Sequence, residues 1–420
     1  MIAVKIKYID LFCGLGGMRL GFESALQSLG LTGQHVFSSE IKQHALNAYN
    51  KNFGDYPQGD IAQIEANDIP DFDFLLGGFP CQAFSSAGRR LGFEDTRGTL
   101  FFDVARILKA KKPKGFLLEN VEGLVSHDGG KTLKTMIDVL TDMGYIADWK
   151  VFDGKDFGLA QSRKRVYIYG TFSHPLTLNE ITPRFSNLSE IIEYEVPAKD
   201  SEFTKKLLSH YSIEDVIGKK IKDKRGGADN IHSWNFALKG EVSASQKELL
   251  GLLSRQRRNK KWAEIYQIDW MDGMPLTIDM ISSFYSDDNL ECMLDDLVSK
   301  GYLVYEHPKK KEGNKRVYDT DKPKGYNIVT GKLSFEYSKI LNPSDIAPTL
   351  VATDVMRLGV PVGGGIRSLT VREGLRLFGF PESYDLSFLK TKDAFDLLGN
   401  TVCIPVVAHI SNSLVKSAMQ

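Results

Sequence analysis

The chain has 420 residues, 42% hydrophobic and 25% charged, and its 53 basic and 53 acidic side chains cancel to zero net charge. That length points to one large domain with a second domain or a large insertion. The charge balance excludes a uniformly basic nucleic-acid binder, so any polyanion must be met by local clusters.

The N-terminus, MIAVKIKYIDLF, lacks the long apolar core and cleavage site of a signal peptide, and no run reads as membrane-spanning. The four cysteines, Cys13, Cys81, Cys292 and Cys403, lie far apart with no CxxC pair. That argues against a structural metal or disulfides and suits a reducing compartment, so a soluble cytoplasmic protein is expected. Val4 to Phe12 reads as a strand, CGLGG as a turn, and Met18, Phe22, Ala25, Leu26 and Leu29 recur at helical spacing. This is a nucleotide-type turn and not the dinucleotide fingerprint, which after Gly14 and Gly16 needs glycine where Arg19 stands. HVFSSE then puts Glu40 at a second strand end, placed to bind ribose hydroxyls, and Asp60 ends the next short unit, placed to accept from an adenine amine. Each acid alone also reads as a helix cap or a solvated loop residue.

Phe72 to Leu76 reads as a buried parallel strand, and GGFPCQAFSSAG sets Cys81 just past its carboxyl end, where open α/β sheets form their ligand crevice. A cysteine there is either a small buried hydrophobe or a nucleophile. The segment with Ser85, Ser86, Arg89, Arg90 and Arg97 reads as a solvated loop or as a lid closing on a polyanion, ahead of a helix from about Thr99 to Lys111. GFLLENV is a further buried strand ending in Glu119, whose desolvated carboxyl can act as an acid or donor, or else cap the next turn. After a helix around 131–143 and a strand near 145–152, the alternation of QSRKRVYIYG puts Gln161, Arg163 and Arg165 on one face and Val166 and Ile168 on the other.

Taken in order, DLFCGLGG, Glu40, Asp60, PCQ with Cys81, ENV with Glu119 and QSRKR resemble the DNA (cytosine-5)-methyltransferase family of bacterial restriction-modification type. APTLVAT at 347–353, RSLTVREGLRLFGFPESY at 367–384 and LLGNTVCIPVVAHI at 397–410 resemble that family's closing motifs. The resemblance implies an α/β, Rossmann-like, S-adenosylmethionine-dependent methyltransferase fold with a mixed, mostly parallel sheet. Residues 1–170 then carry the cofactor and catalytic motifs, and 341–420 return to that domain. The cofactor, S-adenosylmethionine, would be held by Phe12, Gly14, Gly16, Gly17, Glu40, Ile41, Asp60, Ile61, Pro80, Asn400 and Val402, with Met18 and Ile41 standing where some relatives place aromatic side chains. The catalytic residues implied are Cys81, which adds to cytosine C6, Glu119, which binds the ring nitrogen and exocyclic amine, and Arg163 and Arg165, which hold the flipped nucleotide. Gln82, Ser85, Arg89 and Arg97 would meet DNA. The expected partners are double-stranded DNA and a restriction endonuclease acting on the same site, with no membrane, and the chain is expected to act as a monomer.

Residues 171–340 fall where that family keeps its target-recognition domain, expected here as a smaller α+β unit. Its basic runs supply Arg255, Arg257, Arg258, Lys260 and Lys261, and then Lys309, Lys310, Lys311, Lys315 and Arg316, which read as solvated faces or as DNA contacts. Gln246–Ile265 reads as one helix, Leu276–Tyr285 as a second and Asn289–Lys300 as a third, followed by a basic hairpin. This is the order of a winged helix, with Leu249, Leu252, Leu253, Trp262, Leu294 and Leu297 as its core and the wing or third helix offered to DNA. The alternatives are an RNA cytosine methyltransferase, a catalytically silent DNA-binding scaffold, and a small-molecule methyltransferase for which the basic insert is surplus.

Overall fold

The computed structural model describes residues 5–80, 100–224, 230–268, 270–313, 315–329, 335–351 and 355–420, and the chain divides into two compact units. One comprises residues 1–193, 343–356 and 369–420; the other comprises 194–342 and 357–368. The first boundary falls later than the sequence suggests because 171–193 stays with the first unit, where Leu188 N and Ser189 N donate to Asp345 O and Pro343 O. Residues 357–368 belong to the second unit because Leu358–Val362 pairs with both Lys339–Ile340 and Gly365–Ser368.

In the first unit the chain runs β1 (Lys5–Leu11), α1 (Gly17–Ser28), β2 (Thr32–Ser39), α2 (Gln43–Phe53), β3 (Phe74–Gly78), α3 (Leu100–Lys111), β4 (Gly115–Val121), α4 (Lys131–Asp142), β5 (Ile146–Asp153) and β6 (Lys164–Thr171). The strands form one sheet in the order β2-β1-β3-β4-β6-β5, parallel except for β6, which runs antiparallel to β4 and β5. The expected Rossmann-like, mostly parallel sheet is therefore present. Phe74–Leu76 and Phe116–Leu118 are continuous buried runs, as strands covered by helices on both faces require. The register brings Leu11 beside Ser39 and Gly77, and Gly78 beside Glu119, so four carboxyl-terminal strand ends meet at one edge. The strand order reverses there, with β2 and β3 on either side of β1, and open sheets form their crevice at such a point.

The last helix, Ile404–Met419, lies against α1, where a Cβ on Gly21 would collide with Val407. By length and composition alone Thr391–Met419 is apolar enough to cross a membrane, against the expectation that no run is; it consists of two helices, Thr391–Gly399 and Ile404–Met419, and 67% of its apolar 18-residue window is buried. Burial against the sheet accounts for its apolar character.

The second unit holds a five-stranded sheet in the order Gly365–Ser368, Leu358–Val362, Lys339–Ile340, Lys220–Ile221, Asn230–Ile231. It also holds a helical part of winged-helix order: helices Ala244–Gln256, Lys261–Tyr266, Ile278–Ser282 and Leu290–Ser299, then the pair Leu303–Glu306 with Gly325–Ile328. Leu276 bridges to Tyr326, and a hairpin of Lys309–Glu312 with Lys315–Tyr318 extends from the pair. The expected single helix over 246–265 is two helices. Arg257 O accepts from Met274 N at 2.8 Å instead of continuing the helix ladder. Leu249, Leu253, Trp262, Leu294 and Leu297 form the expected core; Leu250 is buried with them, and Leu252 is half-exposed.

Candidate active site

A cleft of about 510 Å³ opens at the shared strand edge of the first unit. Of the residues expected at the cofactor, Phe12, Gly14, Gly17, Glu40, Ile41, Asp60, Ile61, Pro80, Asn400 and Val402 line it. Gly16 is not among the lining residues: its φ is 71°, and a Cβ there would strike the Phe53 ring, so it serves the packing of the turn. Phe12 holds a φ of 56°, a strained conformation for a bulky side chain of the kind that clusters at ligand sites.

Glu40 organises this end of the cleft. Gly14 N donates to its Oε2 at 3.0 Å, and Ile41 N and Lys42 N donate to its Oε1, each at 2.8 Å. A carboxylate has about four lone-pair sites, so these three bonds fix its orientation while leaving one site, on Oε2, for a hydroxyl. Ile41 is 69% exposed beside it, an apolar surface suited to the face of a purine. Asp60 Oδ1 accepts from Ala62 N at 3.0 Å, capping the turn Ile61–Gln63. An acid with one site open to a ribose hydroxyl, an acceptor for an amine and an apolar platform fit the nucleoside of S-adenosylmethionine. Among the described residues no group of three His, Cys, Asp or Glu side chains is placed to hold a metal.

Glu119 lies at the other end of the cleft, buried at the end of β4, with Arg165 Nε 3.0 Å from its Oε1. Burial raises its pKa above the ordinary carboxyl value and outweighs the opposing pull of Arg165 and Arg163. Asn120, next in the chain, donates from Nδ2 to Phe79 O at 2.8 Å, tying β4 to the segment that leaves β3. Pro80 lines the same cleft; Cys81, Gln82, Ser85, Arg89 and Arg97 lie outside the described residues.

Arg163 and Gln161 do something the sequence reading did not include. The Arg163 guanidinium donates to Leu350 O, Gly399 O and Thr401 O at 3.1, 3.0 and 2.8 Å, and burial pulls its pKa down to about 10. Gln161, fully buried, donates to Leu377 O and accepts from Leu350 N. Together they fasten the closing motifs, and with them Asn400 and Val402, to the cleft. Tyr384 OH adds a buried bond to Leu15 O at 2.7 Å. Asn120 and Gln161 carry one sequence signal, a polar residue at the edge of an apolar run.

The basic residues of the second unit separate into two groups. Arg257 is buried and donates to Asn327 Oδ1 at 2.7 Å, which removes it from the expected DNA-facing set. Arg258 is 2.6 Å from Asp272, and Lys310 is 3.2 Å from Asp319. Arg255, Lys260, Lys261, Lys311, Lys315 and Arg316 are exposed, and Lys309 is half-exposed.

Residues 6–416 match the family model of C-5 cytosine-specific DNA methylase. The chain is 54% identical to the Type II methyltransferase M.NlaIV of Neisseria lactamica and 53% identical to M.NgoBV of Neisseria gonorrhoeae, in each case over 98% of this chain and 99% of the relative. Among solved structures, the Entamoeba histolytica methyltransferase EhMeth superposes with a TM-score of 0.52 at 16% identity, covering 98% of each chain. S. pombe Dnmt2 does so at 0.51 and 18%, again over 98% of each chain, and both show a shared fold. With its glycine turn, Glu40 and Glu119 set around one cleft and the family model matched almost end to end, this chain belongs to the C-5 cytosine-specific DNA methylases and is a DNA methyltransferase of the Type II restriction-modification kind.

Proposed function

We propose that the protein methylates carbon 5 of one cytosine within a specific duplex DNA sequence, through a transient bond between Cys81 and the base. The observation that best supports this is the buried Glu119 carboxyl in the cleft that Pro80, the residue before Cys81, also lines. Cytosine C5 is a weak nucleophile until the ring is activated. The Cys81 thiolate attacks C6, forming the S–C6 bond, while Glu119 gives a proton to the ring nitrogen, and the resulting enamine is nucleophilic at C5. Bound S-adenosylmethionine supplies the electrophilic methyl group, with Glu40 and Asp60 holding its nucleoside. Loss of the C5 proton to a base and cleavage of S–C6 restore the aromatic ring, and Glu119 regains its proton from the ring nitrogen. Arg165 holds the Glu119 carboxyl in place, and Arg163 holds the wall formed by Gly399 and Thr401.

Stacking and pairing hide these atoms in a duplex, so the target base rotates out of the helix into the cleft. The protein acts in the cytoplasm as a monomer and shields its site from an endonuclease that cuts the same sequence. Incubation with methyl-labelled S-adenosylmethionine and duplex DNA, RNA or metabolites tests the reading. Label in duplex cytosine C5 is expected; label confined to RNA or small molecules would replace it.

A further inference from the structure

We infer that the winged-helix part of the second unit grips the phosphates of duplex DNA with one face of its hairpin, Lys309–Glu312 paired with Lys315–Tyr318, and not with its last helix, Leu290–Ser299, which stands in the place of a winged helix's third. The inference rests on the reading of the chain as a duplex DNA methyltransferase. In helix-turn-helix relatives of this arrangement the third helix enters the major groove. Here that helix and its approach carry Asp287, Asp288, Glu291, Asp295 and Asp296 against the single base Lys300, which is itself 2.6 Å from Asp296. Two of these acids are structural: Asp295 accepts from Tyr326 OH, and Asp296 accepts from Gln246 Nε2. A surface so charged repels a polyanion.

The hairpin has the opposite character on one face only. Its register opposes Lys309 to Tyr318, Lys310 to Val317, Lys311 to Arg316 and Glu312 to Lys315. Directly opposed residues project from the same face, and successive pairs alternate between faces. Lys309, Lys311, Arg316 and Tyr318 therefore share one face, and Lys310, Glu312, Lys315 and Val317 share the other. The second face is internally balanced, because Lys310 lies 3.2 Å from Asp319 and 4.0 Å from Glu312. On the first face, Lys309, Lys311 and Arg316 have no acidic partner among the described residues; Lys309 Nζ lies 4.8 Å from the Tyr318 ring. Lys311 and Arg316 stand directly opposite, a pairing of like charges that costs stability unless an anion lies between them. Phosphates of a duplex supply that anion, and Tyr318, whose OH donates to Glu306 Oε2 at 2.9 Å, flanks the cations with its ring.

The test measures duplex binding by the full chain as a function of salt. Each lost phosphate contact lowers the slope of log affinity against log salt by about 0.9, so combining Lys309→Ala, Lys311→Ala and Arg316→Ala should flatten it by roughly 2 to 3. The charge-preserving set Lys309→Arg, Lys311→Arg and Arg316→Lys should restore it. Lys310→Ala, and Lys300→Ala at the end of the helix, should leave the slope as it is. An unchanged slope in the triple alanine variant, or a flattened one in the helix variant, would overturn the inference. Wild-type protein that transfers no methyl group to duplex DNA would instead overturn the proposed function, so the two failures are separable.

Discussion

Arg165 Nε lies 3.0 Å from Glu119 Oε1, and the two nearly buried side chains join adjacent antiparallel strands β4 and β6 at the floor of the cleft. The pair orients the carboxyl, while burial keeps its pKa raised against the pull of the arginines. Glu119 thus holds its proton to higher pH than an ordinary carboxyl, and methyl transfer should slow as pH rises through that raised pKa. Glu119→Gln should slow the chemical step by about 10²- to 10⁴-fold and remove the alkaline decline. Single-turnover rates across pH decide the matter; a Gln variant that keeps both the wild-type rate and its decline would place the acid elsewhere.

Arg163 meets three carbonyls that a lysine cannot satisfy together, because an ammonium lacks the planar fork of the guanidinium. Arg163→Lys should destabilise the protein by about 1–3 kcal/mol through stranded buried carbonyls. It should also raise the KM for S-adenosylmethionine, because Asn400 and Val402 stand on the segment it fastens. Thermal denaturation with cofactor-dependent kinetics measures both; an unaltered Tm would show that the clasp carries no weight.

Asp10 is fully buried in β1, and burial raises its pKa to about 8 despite the opposing charge of Arg19 and the pull of its backbone N–H. The folded state therefore holds this proton more tightly than the unfolded chain. Stability is fully present below the ordinary carboxyl pKa and is lost as pH rises through the folded value of about 8. The loss is at most about 1.4 kcal/mol per pH unit in that window. Asp10→Asn should flatten the dependence and raise Tm above pH 8 relative to wild type. Parallel Tm–pH curves for the two proteins would contradict this.

The parts of this architecture that were legible in the sequence are those whose cause is local. Strands buried on both faces are continuous apolar runs, so β3 and β4 could be read directly, and with them Glu119 at a strand end. Glu40 was likewise visible just after β2. What remained hidden depends on distant partners. Arg163 reads as a ligand-facing arginine until the carbonyls it meets, 187, 236 and 238 residues away, are in place. Arg257 sits inside a basic run, and only Asn327, 70 residues on, shows that it is core. The division of the hairpin into a charged and a balanced face follows from its register, which the run KKKEGNKR does not specify. Gly16 matched the cofactor motif by position, yet it is the Phe53 ring that requires glycine there.

The central claim is a sulfur bond between Cys81 and the target base, and a mechanism-based trap tests it most directly. Fluorine at C5 cannot leave as a proton does, so a duplex carrying 5-fluorocytosine at the methylated position should halt turnover after methyl transfer. With S-adenosylmethionine present, the account predicts a conjugate that survives denaturation, maps to Cys81 and is absent from Cys81→Ser. An active preparation that methylates ordinary duplex yet never yields this conjugate would contradict it.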